Sequence, residues 1–277
     1  MDVKKAFIYM LISTFSFALM NAVVKYLVNL PAYELVFFRS LGSLVFSTSF
    51  LLYHKIPMLG NQRKLLLFRG VFGAIAMTLF FSSLKYLTMG SAVSLRYIAP
   101  IFAAILAIFI LKERIKPLQW LFFAIAFTGV LVLKGLDKEM DTVGLFLIIT
   151  SAFFTGLVFV VITKIGKQDH PVVVVNYFML IATLLGGVLM IFNWVQPQGL
   201  EWVLLLSLGV FGYFGQLYMT KAFQSAATNQ VAPFKYIEVV FTVTLGLLWF
   251  QEVYTLWSLL GIVLIIGGLV LNALYKK

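Results

Sequence analysis

Ten apolar stretches, each close to the length that crosses a bilayer, follow one another along 277 residues with almost nothing between them. They run over residues 4–27, 33–53, 64–86, 90–111, 117–135, 143–164, 171–193, 202–222, 229–250 and 255–274. A membrane helix takes about 20 apolar residues, so the chain has no length left for a soluble catalytic domain. Lipid cannot hydrogen-bond a bare backbone, and the alternating polarity of a membrane barrel is missing. Each stretch is therefore predicted to be a continuous helix. Side chains that are 62% hydrophobic and 11% charged expose too much apolar surface for water, in agreement. The first stretch starts at Lys4 without a small-residue cleavage site behind a short core, and is read as a retained helix rather than a signal peptide.

What the chain lacks narrows its chemistry. The absence of Cys excludes disulfides, thiolate metal sites and cysteine nucleophiles, and two His are too few for a metal cluster. No glycine-rich phosphate loop is present, so direct ATP hydrolysis is excluded and no cofactor is expected. His54 and His170 fall in loops, away from any intramembrane His, Cys or paired carboxylates, which makes a membrane-embedded enzyme the weaker alternative. A channel would show a filter-like ring or need symmetric subunits, and neither is visible. A net charge of +11 would suggest nucleic acid in a soluble protein. Here each charge has meaning through its position relative to the membrane, so no nucleic-acid partner is expected.

Lys and Arg are retained on the cytoplasmic side, which sets the orientation. With an inside N-terminus, one face carries Lys4, Lys5, Lys55, Arg63, Lys64, Lys112, Arg114, Lys116, Lys164, Lys167, Lys221, Lys276 and Lys277, and the other Lys25, Lys85, Lys134 and Lys138. Both termini are accordingly expected in the cytoplasm, with an even number of passes.

The chain also repeats itself. Displaced by 139 residues, Leu65-Leu66-Leu67 falls on Leu204-Leu205-Leu206, and Gly70-Val71-Phe72-Gly73 on Gly209-Val210-Phe211-Gly212. Tyr97-Ile98 falls on Tyr236-Ile237, Arg96 on Lys235, Phe102 on Phe241, Glu113 on Glu252 and Gly129 on Gly268. This divides the chain into units 1–138 and 139–277. Five helices is an odd number, so the second unit would enter the membrane from the opposite side. The charges follow: Lys112, Arg114 and Lys116 become Gln251, Val253 and Thr255, and the loop holding Lys55, Arg63 and Lys64 corresponds to the uncharged 193–199 stretch. The expected fold is an all-α integral membrane bundle of ten helices in two inverted-topology repeats. Such halves can exchange inward-open and outward-open arrangements around one site; the alternative is a duplication that only built a stable bundle or a channel.

Four cations lie inside the predicted helices, and each needs protein or water around it. Arg69 is close enough to the basic end of helix 3 to snorkel there. Arg39 sits near the external end of helix 2 with Glu34 available, as a structural or gating ion pair. Arg96 and Lys235 are equivalent positions in helices 4 and 9 and should face each other. Glu238 follows Lys235 by three residues, close enough to pair with it, whereas its counterpart is Ala99. One cation then remains uncompensated, favouring an anionic or zwitterionic substrate whose carboxylate binds Arg96 bidentately. The competing reading has Glu238 bridging both cations and fixing the helices. Pro100 and Pro233 remove the N–H groups that would bond the carbonyls of Arg96 and Asn229, so both helices are expected to kink there. Thr14, Asn21 and Lys25 form a polar stripe on helix 1, and Tyr213, Gln216 and Thr220 on helix 8; both should point inward, to bind substrate or neighbouring helices. Tyr97, Tyr236 and Phe81 are candidate aromatic cavity walls, with core packing as the competing role. Gly209, Gly212 and Gly215 allow close helix contact.

The doubled segments Ser94-Leu95-Arg96-Tyr97-Ile98-Ala99-Pro100 through Lys112-Glu113-Arg114 and Pro233-Phe234-Lys235-Tyr236-Ile237-Glu238 through Gln251-Glu252, with Phe37-Phe38-Arg39-Ser40 in the second helix, resemble the drug/metabolite transporter superfamily, specifically its EamA-type members. The resemblance covers nearly the whole chain. It implies a secondary transporter or exporter of small metabolites in the cell inner membrane, with a central cavity lined mainly by helices 1, 3, 4, 6, 8 and 9. The lysine motif of the nucleotide-sugar branch is absent, which disfavours that substrate class. Amino acids and carboxylates fit the charges better. Glu238, the only deep carboxylate, is the leading candidate for proton coupling, although Lys235 beside it would keep it ionised; uniport or exchange with a counter-substrate is the alternative. The expected partners are the bilayer and a small-molecule substrate, with the protein a monomer or homodimer.

Overall fold

Every regular element among the described residues is helical, as a lipid-facing backbone requires. The computed structural model describes residues 3–110, 117–136, 141–166, 168–192, 194–225 and 232–275. The basic loop of Lys112, Glu113, Arg114 and Lys116 lies outside them, as do Lys138, Lys167, Asn193, Asn229, Lys276 and Lys277. In chain order the elements are α1 (Val3–Tyr26), α2 (Ala32–Tyr53), α3 (Arg63–Ser83), α4 (Met89–Arg96), α5 (Ala99–Ile110), α6 (Pro117–Leu136), α7 (Thr142–Ile165), α8 (Pro171–Phe192), α9 (Leu200–Ser225), a 3₁₀ segment (Ala232–Tyr236), α10 (Ile237–Phe250) and α11 (Leu256–Tyr275). Seven spans are long and apolar enough to cross a membrane: α1, α2, α3, α4 with α5, α7, α8 and α9. α6 and α11 carry shorter apolar stretches over 117–132 and 256–268.

Local chemistry marks the helix ends. Pro117 and Pro171 open α6 and α8 at the first position, where a missing N–H costs nothing. The Thr88 hydroxyl accepts from the Ser91 N–H to cap α4, and the Asp141 carboxylate accepts from Val143 and Gly144 to cap α7. The stretch expected as one continuous helix over 90–111 is instead broken at Tyr97 and Ile98. Their N–H groups reach back only three residues, to the carbonyls of Ser94 and Leu95, both at 3.1 Å. Pro100 has no N–H to carry an α-helical bond to the Arg96 carbonyl. The segment holding Pro233 and Lys235 is likewise wound as 3₁₀ before α10 begins.

Burial is inverted relative to a protein in water. Phe109, Ile191 and Leu248 are more than 70% exposed, while Asn21, Glu34, Arg39 and Glu238 are at 2% or less, so the apolar girdle faces lipid and the polar groups face inward. α2 packs antiparallel to α8: Asn176 Nδ2 donates to the hydroxyls of Ser47 and Thr48 at one end, and Gly186 rests on the backbone of Tyr33 and Phe37 at the other. α6 and α11 are antiparallel too, with Gly129 against Gly261 and Ile265, and Gly268 against Phe122 and Ala126. Ser13 on α1 donates to the Gly215 carbonyl of α9, and Ser151 on α7 to the Ala76 carbonyl of α3, each at 2.7 Å. Where α2 crosses α9, a Cβ on Gly42 would lie 2.8 Å from the Gly209 Cα, so only glycine admits that approach. The bounds of α1, α2 and α6 recur 139 residues later as those of α7, α8 and α11.

Candidate functional site

Both helix interruptions bring charged side chains to the same place. The Glu238 side chain, in the first turn of α10, is fully buried, and its Oε1 accepts from Arg96 Nη2 at 3.0 Å and from Asn21 Nδ2 at 3.2 Å. The Tyr97 hydroxyl stands 3.0 Å from Glu238 Oε2 and 2.8 Å from the Lys235 carbonyl, so one proton serves two acceptors. Tyr236 meets Tyr97 edge to face at 5.1 Å. α1, the α4–α5 break and the 3₁₀–α10 junction are thereby tied through one carboxylate.

The expected pairing of Glu238 with Lys235 is not the one formed. Lys235 lies in the 3₁₀ segment and Glu238 in the first turn of α10. The carboxylate turns across the interface to the Arg96 guanidinium, whose fork offers better geometry. Arg96 stacks on Phe80 at 3.9 Å. The Lys235 ammonium sits 5.8 Å from both the Tyr97 and Phe159 ring centroids, and the residue as a whole is half-buried. Of these two equivalent cations, Arg96 makes the ion pair with Glu238, and Lys235 makes none within 4 Å among the described residues.

The remaining predicted residues divide. Among the described residues, Gln216 Oε1 is a buried acceptor without a partner, as is Asn21 Oδ1. Tyr213 stacks on Phe46 at 5.3 Å and faces Val172, Val175 and Leu217, apart from the Glu238 cluster. Glu34 and Arg39 do not pair among the described residues. Five positions along a helix is a rotation of about 140°, which turns them to different neighbours. Glu34 Oε2 accepts from the Val195 N–H at 3.3 Å, whereas Arg39 points to Met77 and Met179. Arg69 does not snorkel: it is 4% exposed, with its guanidinium 4.2 Å over the Phe178 ring. Of Pro100 and Pro233, the backbone alone places them at the two interruptions.

A second polar cluster closes one end of the bundle. Both oxygens of Glu252 accept from the Met89 N–H, at 3.0 and 3.1 Å, at the start of α4. Tyr254 donates to Glu252 at 2.5 Å and accepts from the Gly90 N–H at 3.3 Å. Burial, then the bond to Glu252, pushes the Tyr254 phenol far above its ordinary value, so it stays a donor. Lys25 donates to the carbonyls of Leu84 and Leu87 and lies 3.8 Å from Glu252. A doubled acid at positions 113 and 252 is visible in the sequence, but its contact with the start of α4 is not. Another knot joins the α2–α3 and α7–α8 loops: Asp169 accepts from the N–H groups of Asn61 and Gln62 at 2.5 and 3.1 Å. A cavity of about 350 Å³ opens between α1, α2, α3 and α7, lined by Val24, Pro31, Phe81, Lys85, Tyr86 and Leu147 among others, without Glu238. Among the described residues no group of acids and histidines is placed to hold a metal ion.

Residues 4–134 and 142–274 each match the EamA-like transporter family. The chain belongs to that family. It is thus a multi-pass membrane protein of the drug/metabolite transporter superfamily, among transporters rather than enzymes. The chain is 31% identical over 280 residues to the pseudopaline exporter CntI of Pseudomonas aeruginosa, covering 99% of this chain and 98% of the exporter. It is 28% identical to human solute carrier family 35 member G1, over 97% of this chain and 78% of that protein. It is 26% identical to the S-adenosylmethionine uptake transporter of Rickettsia prowazekii, over 93% and 88%. A solved protein structure superposes with a TM-score of 0.70 at 18% identity, over 99% of this chain and 98% of its own, a likeness in fold alone.

Proposed function

We propose that this EamA-like transporter is a secondary exporter or exchanger of a small anionic or zwitterionic metabolite in the cell inner membrane, working by alternating access around the Glu238 cluster. The observation that carries the reading is Lys235: a half-buried residue whose ammonium lies between two aromatic rings, beside an Arg96–Glu238 pair that is already satisfied. A substrate carboxylate would meet Lys235 first, with Asn21, Gln216, Tyr97 and Tyr236 as neighbours, and compete with Glu238 for Arg96. Glu238, engaged by three donors, acts in this reading as an anchor between helices more than as a proton carrier, which favours exchange or uniport. The likeness to the pseudopaline exporter supports export.

The halves 1–138 and 139–277 would be inverted-topology repeats forming ten passes, with both termini cytoplasmic. Supporting this are the recurrence of helix bounds at the sequence offset and the antiparallel contact of α2 with α8 and of α6 with α11. In the same register Lys25 and Glu252 correspond to Lys164 and Glu113. The Glu252 cluster would then latch the external side.

The test is flux in proteoliposomes over amino acids, carboxylates, purines and cationic drugs. Loss of one charge-assisted contact is worth about 1.5–3 kcal/mol, so Lys235→Gln should raise KM for the anionic substrate roughly 10- to 100-fold. Unchanged anion transport in Lys235→Gln and Arg96→Ala, or transport of cations alone, would remove the assignment.

A further inference from the structure

Arg39 and Arg69 are 2% and 4% exposed, and neither has a carboxylate partner among the described residues. They approach one ring from α2 and α3: their guanidinium carbons stand 5.4 and 4.2 Å from the centroid of Phe178 on α8. Arg39 Nη1 donates to the Met77 thioether at 2.9 Å and reaches Met179 at 3.6 Å, weak acceptors for a cation. Arg39 Nε and both Nε and Nη1 of Arg69 have no acceptor among the described residues.

The surroundings are shaped around these groups. On α3, Arg69, Gly73, Met77 and Phe80 fall on one stripe. Arg69 begins it, Arg39 reaches its Met77 and Arg96 covers its Phe80, so three guanidinium groups line one helix face. A single carboxylate, Glu238, pairs with one of them. Two glycines, 139 residues apart and equivalent in the repeat, make the room. A Cβ on Gly73 would collide with Arg69 Nη1 and come 2.9 Å from the Phe178 ring, and a Cβ on Gly212 would come 2.9 Å from Arg39 Nε. Stripping water from an arginine without supplying an anion is strongly unfavourable, and aromatic faces and thioether sulfurs offset only part of that. Two such arginines against one ring raise the cost further by repulsion.

We infer that Arg39 and Arg69 form a buried binding site for one compact monoanion between α2, α3 and α8, separate from the Lys235 position. The anionic group is either a small carboxylate, held bidentately by a guanidinium fork, or free chloride. The site does not depend on the transport reading, and its test needs no flux.

The thermal midpoint of the full-length protein in detergent is followed while acetate or chloride replaces a bulky sulfonate at constant ionic strength. A ligand that binds only the folded state raises the midpoint with concentration, so the wild type should gain a few degrees, saturably. Arg39→Met and Arg69→Met should lose the response and be more stable than wild type in the sulfonate alone, because an uncompensated buried charge is gone. Lys64→Gln, which removes an exposed cation from the start of α3, should keep the response. A response to acetate alone assigns the site to a carboxylate, and one to chloride as well assigns it to a free monoanion. Overturning results are the absence of any saturable shift, or equal shifts in wild type and both Met variants. Should the variants fail to fold, anomalous scattering from wild-type crystals grown in bromide decides: a peak beside Arg39 and Arg69 supports the site, and neither bromide nor carboxylate density there ends it.

Discussion

Glu238→Ala removes the acceptor shared by Arg96, Tyr97 and Asn21 and leaves the Arg96 guanidinium, whose side chain is 18% exposed, without its carboxylate. Breaking a buried ion pair from one side costs about 3–5 kcal/mol. At roughly 2–4 °C per kcal/mol for a chain of this order of size, the thermal midpoint in detergent should fall by about 10 °C. Replacing both partners, Arg96→Met with Glu238→Leu, should recover most of that loss, because the penalty lies in the stranded charge rather than in the missing bond. Tryptophan fluorescence on heating reads the wild type, the single variants Arg96→Met and Glu238→Leu and their double variant as one double-mutant cycle. The coupling should exceed about 2 kcal/mol, within the range of contacting pairs. A single-variant drop of under 2 °C, or additive losses in the double variant, would show that Glu238 does not hold the two interruptions together.

Two further predictions concern the ends and the seams. Glu252→Gln gives up the ion pair with Lys25 and one acceptor of the Met89 N–H, worth about 1–3 kcal/mol; the chain has no Cys, so a reporter at Ser91→Cys, a position 4% exposed, should react with an impermeant maleimide about 10-fold faster in that background, and an unchanged rate would deny Glu252 a closing role. Gly209→Ala would drive a Cβ to 2.7 Å from the Gly42 Cα and should cost about 1–3 kcal/mol by overpacking, read as a lower midpoint than for Gly199→Ala, whose surroundings are open but whose φ of +48° is itself strained.

The course of the backbone was legible because lipid leaves it almost no alternative to helix. Stretches such as 143–164 differ from α7 by one residue at each end, set by the Asp141 cap and the Gly166 turn at φ 57°. The break at Tyr97 was half legible: Pro100 announced a disturbance, and the doubled Arg96 and Lys235 announced its importance. What composition and spacing do not contain is the direction of a long side chain across a helix interface. Lys235 and Glu238 were neighbours in sequence, yet Glu238 chose Arg96, 142 positions away. Arg69 had an escape route to water along its own helix, and the Phe178 face from α8 proved the nearer partner. Glu34 and Arg39 looked like a pair on one helix until the 3.6-residue turn separated them. The Glu252 contact joins a loop after α10 to the start of α4, a juxtaposition that only tertiary packing creates.

The account stands most directly on whether Lys235 is reached from both sides of the membrane. Lys235→Cys in the otherwise Cys-free chain, reconstituted in liposomes, can be attacked by an impermeant cationic thiosulfonate applied outside or trapped inside. Alternating access around this position predicts reaction from either compartment, slowed by the transported anion, with the attached positive charge restoring part of the lost transport. Reaction from one compartment only, or from neither, would mean a fixed bundle and would contradict the account.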